Sequence, residues 1–185
     1  GKVRAHEPSL RVPLVVTGPG MRQGQKRYDP ITTLDLSASI LDLAGARPPR
    51  PADGVSRVPT LRGGDVGWSS PVVTESAIPG KRRSTFSAGR TSIGLRTARY
   101  SLILNKRGRH ELYDLLSDPL QNTNVFRDAS HRAVRARLLA SLRSVKDCSG
   151  AGCRSPLPAD LQATPGQNAA LGRHYWSTVN ATYGW

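Results

Sequence analysis

Three residues able to do chemistry stand close together near the start of this sequence: His6, Glu7 and Arg11. Glu7 and Arg11 have opposite sign and lie four positions apart, in a stretch that does not read as a helix. They read as ion-pair partners of a scaffold, not as an acid and a base. His6 could donate a proton, line a site, or simply pack as a ring. The remaining histidines, His110, His131 and His174, are scattered without metal spacing, and the Asp residues form no calcium-type cluster. Cys148 and Cys153 enclose only Ser-Gly-Ala-Gly. A zinc ion wants about four ligands and no His accompanies the pair, so a local disulfide is the better reading. That disulfide implies an oxidising compartment, extracellular, periplasmic or in the cell envelope. Asn180-Ala181-Thr182 matches a glycosylation pattern, a triplet that chance also produces.

The elements that must position these groups belong to a chain of 185 residues, of which 37% are hydrophobic, with 14 prolines and 18 glycines. That suits one domain, or a small domain plus pieces of another, with many turns. Residues 11–17, Arg-Val-Pro-Leu-Val-Val-Thr, form a short β-branched run expected as a buried strand ahead of the turn Gly18-Pro19-Gly20. Thr32 to Ala44 carries Leu34, Leu36, Ile40, Leu41 and Leu43 at helical spacing, with Asp35 or Ser37 as cap and Gly45 at the left-handed C′ position. Arg47 to Val58 is a Pro-rich loop, and Ile78 to Ser87 an irregular basic one. Val72 to Thr74, Ser92 to Thr97, Arg99 to Asn105 and Glu111 to Leu115 read as strands, the last three as an antiparallel meander. Ala129 to Val145 reads as a helix with Leu138 and Leu142 inward.

The net charge is +14, and 22 of the 27 basic residues are Arg. Such a surface attracts anions. Dispersed arginines without aromatic interleaving or zinc-finger spacing argue against nucleic acid. No run of about 18 apolar residues exists, so no membrane span is expected. No secretory signal is visible at Gly1-Lys2-Val3-Arg4, and the chain reads as a piece of something longer.

Three motifs in order carry a family resemblance. The first is Gly1-Lys2, then Glu7, then Arg11-Val12-Pro13 with a strand and a Gly-Pro-Gly turn. The second is Asp35 to Gly45 followed by Asp53-Gly54-Val55-Ser56. The third is Glu111-Leu112-Tyr113-Asp114-Leu115, then Asp118-Pro119 and Asn124. Together they resemble the C-terminal portion of the sulfatases, and the Cys148 to Arg154 loop resembles the tail of the N-acetylglucosamine-6-sulfatase branch. The resemblance implies an α/β fold: the end of a large mixed-sheet, alkaline-phosphatase-like domain (residues 1–80), then a small domain with an antiparallel sheet and one helix (81–155), then an irregular tail (156–185).

It also implies a sulfuric ester hydrolase acting on a sulfated small molecule or glycan, with the family's sulfate-contacting lysine falling on Lys2. An ammonium suits that role as a compact charged donor. In the family His6 stands where an aromatic residue is common. The family's nucleophile is a formylglycine made from Cys within Cys-x-Pro/Ala-x-Arg. Neither Cys148 nor Cys153 sits in such a motif, so an N-terminal segment outside this chain is expected to supply the nucleophile and the calcium ligands. Two alternatives remain open: a phosphatase or phosphonate hydrolase of the same superfamily, or a non-catalytic basic module binding sulfated or acidic glycans.

Overall fold

The computed structural model describes residues 4–48, 50–77 and 90–184. Its centre is a four-stranded antiparallel meander in the order β1 (Val72–Ala77), β2 (Arg90–Arg96), β3 (Tyr100–Asn105), β4 (Glu111–Asp114). Leu95 pairs with Val73 on one side and Leu102 on the other, and Leu102 with Leu112, so one face of the sheet is a leucine layer. Helix α4 (Arg132–Val145), entered through a 3-10 turn at Ala129–His131, lays Leu138, Leu142 and Val145 on that layer. Trp68, Leu157 and Leu161 complete the core. The meander and this helix lie where the sequence places them.

Helix α1 (Glu7–Leu10) is a single turn, so the stretch read as non-helical closes one turn around Glu7. Pro8 near its start explains the turn, since proline lacks a donor that an N-terminal position would leave unused and its ring pre-sets the helical φ. Helix α2 (Thr33–Leu43) is capped by Thr32, not by Asp35 or Ser37: Thr32 Oγ1 accepts from Asp35 N, and Asp35 Oδ2 accepts from Thr32 N. That reciprocal pair is a capping box. Gly45 takes φ 63° just beyond the helix, as its position predicts. Helix α3 (Val58–Arg62) follows.

Residues 11–17 are not a strand. They are irregular, with Val12 and Val15 exposed, Val15 at 89%. A strand exists only by pairing, and no segment among the described residues offers this run a ladder. The stretch Ile78 to Ser87, including Lys81-Arg82-Arg83, lies outside the described residues.

The expected irregular tail is instead largely helix α5 (Pro165–Tyr183). Thr164 and Gln167 form a second capping box, with Pro165 at the first helical position. The helix buries Asn168, Gly172, Tyr175 and Val179, spaced four, three and four apart on one face. Asn168 Nδ2 donates to the Tyr28 carbonyl at 2.7 Å, and Gly172 accepts the Tyr28 ring so closely that a Cβ there would sit 2.0 Å from Cδ1. A polar stripe centred on a glycine hides the helical period that apolar residues usually reveal. No helix among the described residues is long and apolar enough to cross a membrane.

A clamped N-terminal motif as the candidate functional site

Glu7 is 1% exposed. Burying a carboxylate is costly unless it is paired and hydrogen-bonded, and here two arginines meet it. Arg96, at the end of β2, donates Nε to Oε1 at 2.7 Å and Nη2 to Oε2 at 3.1 Å. Arg11 reaches back one turn to Oε2. Burial alone would push the Glu7 carboxyl up, but the Arg96 charge and hydrogen bond, with those of Arg11, bring it down to about 2. At neutral pH Glu7 is therefore a fixed anion, useless as a proton donor and well suited to hold a chain in place.

Both guanidiniums are stacked as well as paired. Arg96 lies 5.0 Å from the Trp68 ring centroid and Arg11 4.3 Å from that of Tyr175 on α5. The backbone of the same residue is fixed too: Glu7 N donates to Gln121 Oε1 at 2.6 Å. Gln121 holds φ 60°, a left-handed conformation, at the end of a turn organised by Asp118, which accepts from Asn122 N and Thr123 N. Beside Glu7, His6 Nε2 lies 2.8 Å from Glu111 Oε2, and Ala5 packs into a small apolar cluster with Ile103, Tyr113 and Leu115.

The first and third sequence motifs thus meet. Residues 5–7 are gripped from β2, β4 and the turn after β4, while Asn124 Oδ1 accepts from Leu112 N and Phe126 N to hold that turn against the sheet. Asp114 takes Arg99 in a paired grip at 2.8 and 2.6 Å. The second motif is structural by the same logic: Asp35 Oδ1 accepts from Val55 N, and a Cβ on Gly54 would lie 2.4 Å from the Leu34 carbonyl. Only glycine lets that loop approach α2 so closely.

The family described as N-sulphoglucosamine sulphohydrolase, C-terminal, matches residues 2–147 of this chain. The chain belongs to that family. It is a C-terminal sulfatase region, and the curated sulfatases it resembles agree. Human N-acetylglucosamine-6-sulfatase is 28% identical over 183 residues, covering 84% of this chain and 33% of that protein. The Delta 4,5-hexuronate-2-O-sulfatase of Bacteroides thetaiotaomicron is 32% identical over 167 residues, covering 83% of this chain and 34% of that protein. Among solved structures, one described as a 2-O GAG sulfatase aligns with TM-score 0.53 at 26% identity, over 82% of this chain and 35% of that one. The chain spans about a third of the length of the curated sulfatases it matches.

In this sulfatase region Lys2 lies outside the described residues, four positions ahead of the gripped His6. Cys148 and Cys153 are joined in a disulfide far from the clamp in sequence, closing the loop that leads from α4 to the turn at Gly150–Arg154. His110 packs edge-on against Phe126 and His131 sits beside Asp128. Among the described residues no three His, Cys, Asp or Glu side chains converge where a metal could sit. These residues therefore do not fit the calcium ion that the resemblance implies. Sequence reasoning missed Arg96, Gln121 and Tyr175. Nothing marks Arg96 among 22 arginines, because its role arises from a partner 89 residues away.

Proposed function

We propose that this sulfatase region is part of an enzyme hydrolysing sulfate esters on a sugar or aryl group, and that its contribution is to hold Lys2 against the sulfate. The observation that carries the reading is the fate of Glu7. The glutamate of the Gly-Lys…Glu…Arg-Val-Pro motif is buried and ionised between Arg96 and Arg11, a strong anchor for the segment that begins with Gly1-Lys2. Sulfate-ester hydrolysis needs a nucleophile, cations on the sulfate oxygens, and a proton donor for the leaving oxygen. Lys2 would supply one cation. The nucleophile and the calcium ligands would come from an N-terminal sulfatase segment, seated over the apolar side chains that residues 10–43 leave exposed. The Cys148–Cys153 disulfide supports an extracellular or periplasmic setting for the enzyme, where oxidising conditions let such a bond persist.

The test is turnover by the in-frame polypeptide that includes these residues and an N-terminal sulfatase segment, with aryl sulfate, aryl phosphate and a phosphonate monoester compared. Preference for the sulfate is expected, with Lys2→Ala lowering kcat/KM about 100-fold or more. Preference for phosphonate would transfer the chain to the related hydrolases. Heparin binding without any turnover would favour a glycan-binding module. An unchanged Lys2→Ala would remove the sulfate contact while leaving the family intact.

A further inference from the structure

Asp53 opens the second motif, yet its hydrogen bond runs elsewhere than those of its neighbours. Gly54 abuts the Leu34 carbonyl, Val55 N donates to Asp35 Oδ1 at 2.9 Å, and Arg57 pairs with Asp35 while its amide donates to Ser39 Oγ. Asp53 Oδ1 instead accepts from Gly150 N at 2.6 Å, across 97 positions of sequence. Gly150 is buried, with φ 56°, and lies between the two half-cystines of the Cys148–Cys153 disulfide. Pro51 Cβ packs 3.4 Å from the place a Cβ on Gly150 would take.

The ring that this disulfide closes has one side fixed to the core. Cys148 packs against the cluster of Leu138, Leu142 and Val145, and its amide donates to the Val145 carbonyl at 3.2 Å. The other side is the 3-10 turn Gly150–Arg154, whose bonds are local: Gly152 N to the Ser149 carbonyl and Ser155 Oγ to the Gly152 carbonyl. A single turn closed by local bonds is marginal alone. The covalent ring restricts it and so keeps the Gly150 N–H on Asp53.

We propose that the Cys148–Cys153 disulfide is a redox latch that fastens the loop at residues 50–57, and through it α2, to the core of sheet and α4, and that a dithiol opens it. The exchange balances. A thiolate of the dithiol attacks one half-cystine sulfur, breaking the S–S bond and forming a mixed disulfide, and the dithiol's second thiolate then displaces the protein sulfur. The protein pair gains two electrons and two protons, leaving two thiols, while the dithiol is oxidised to its cyclic disulfide. Both cysteines are half-buried beside the exposed Ala151 and Gly152, within reach of a small dithiol. The latch is independent of how sulfate is held.

Hydrogen exchange on the full polypeptide, oxidised and after dithiothreitol, reads the latch at three amides. Gly150 should lose about tenfold protection or more on reduction. Val55, bonded to Asp35 at the far end of the loop, should lose about threefold or more. A ring that merely stapled its own turn would leave Val55 unchanged. Leu112, whose amide donates to Asn124 Oδ1 beside the sheet, should keep its protection. Cys153→Ser should match the dithiol, which assigns the effect to this bond. Asp53→Ala in the oxidised protein should loosen Val55 as much as reduction does and leave reduction without further effect there. Asp53→Asn, which keeps an accepting oxygen, should retain the response. If the reduced chain does not fold, Asp53→Ala with the disulfide intact carries the test. Val55 protection that ignores both reduction and Asp53→Ala, or that still follows reduction in Asp53→Ala, overturns the latch. So does an equal loss at Leu112, which would mean general unfolding.

Discussion

Helix α4 turns Leu138, Leu142 and Val145 to the sheet and its arginines largely to solvent, whereas α2 turns Asp35 and Ser39 inward and leaves Leu34, Leu36, Ile40 and Leu43 exposed. Both helices have the same apolar period in sequence. The difference lies in what each meets. Helix α4 meets a leucine-faced sheet of its own chain, so its apolar stripe is covered. Helix α2 meets the loop 53–57, where Asp35 Oδ2 accepts from Arg57 Nε at 3.2 Å and Nη2 at 3.1 Å, and Ser39 Oγ accepts from Arg57 N at 2.8 Å. One region is held by apolar burial, the other by ions and hydrogen bonds that fix geometry more than they add stability. A contiguous exposed apolar face is the ordinary mark of an interface.

The sharpest way to probe the ionic region is Glu7→Gln. It leaves two guanidiniums, one of them buried, without their anion, and Arg96 Nη1 already has no partner among the described residues. Removing one member of a buried ionic cluster should cost about 3–5 kcal/mol by urea unfolding. The wild type should also lose stability with acid. The folded carboxyl titrates at about 2 against an ordinary 4.5, so its stabilisation is complete above the ordinary value and lost as pH falls toward 2. Glu7→Gln should remove that acid-dependent loss. A cost well under 1 kcal/mol would mean that the clamp contributes no stability.

Leu138→Ala is the matching change in the apolar region. The side chain is fully buried against β2, and truncation should cost about 2–5 kcal/mol through lost transfer energy and the cavity left behind. Equal losses for Leu138→Ala and for apolar truncations in α2 would erase the contrast.

The apolar half of the fold was legible in the sequence because its signals are local. The alternation in residues 92–115 sets the meander, and the spacing of Leu138, Leu142 and Val145 sets α4 without reference to anything distant. The run 11–17 misled for the complementary reason: β-branched composition shows fitness for a strand but not the presence of a neighbour. Helix α5 was hidden because its inward stripe includes Asn168 and Gly172, though Thr164-Pro165-Gly166-Gln167 carries a legible start signal. Of the candidate site, Glu7 with Arg11 was readable as a pair at four-residue spacing. Arg96, Gln121 and Glu111 as the partner of His6 were not, since their roles depend on separations of 89, 114 and 105 positions.

The smallest expected effect is the most discriminating. Ile40 is 57% exposed on α2, so Ile40→Ala in this chain removes little buried surface and should change stability by under about 0.5 kcal/mol, as for an ordinary surface position. Alanine's better helix propensity works in the same direction, offsetting part of any loss. If the rest of the sulfatase packs over this face, the same substitution in the longer enzyme becomes a core truncation and should cost about 2–5 kcal/mol. The two measurements share one residue and one helix, so a difference between them isolates what covers α2. Leu138→Ala serves as the control, since its surroundings lie within this chain and its cost should be the same in both settings. A small, equal effect of Ile40→Ala in both would show that α2 stays exposed in the enzyme. The exposed stripe would then need an explanation other than a packed sulfatase domain.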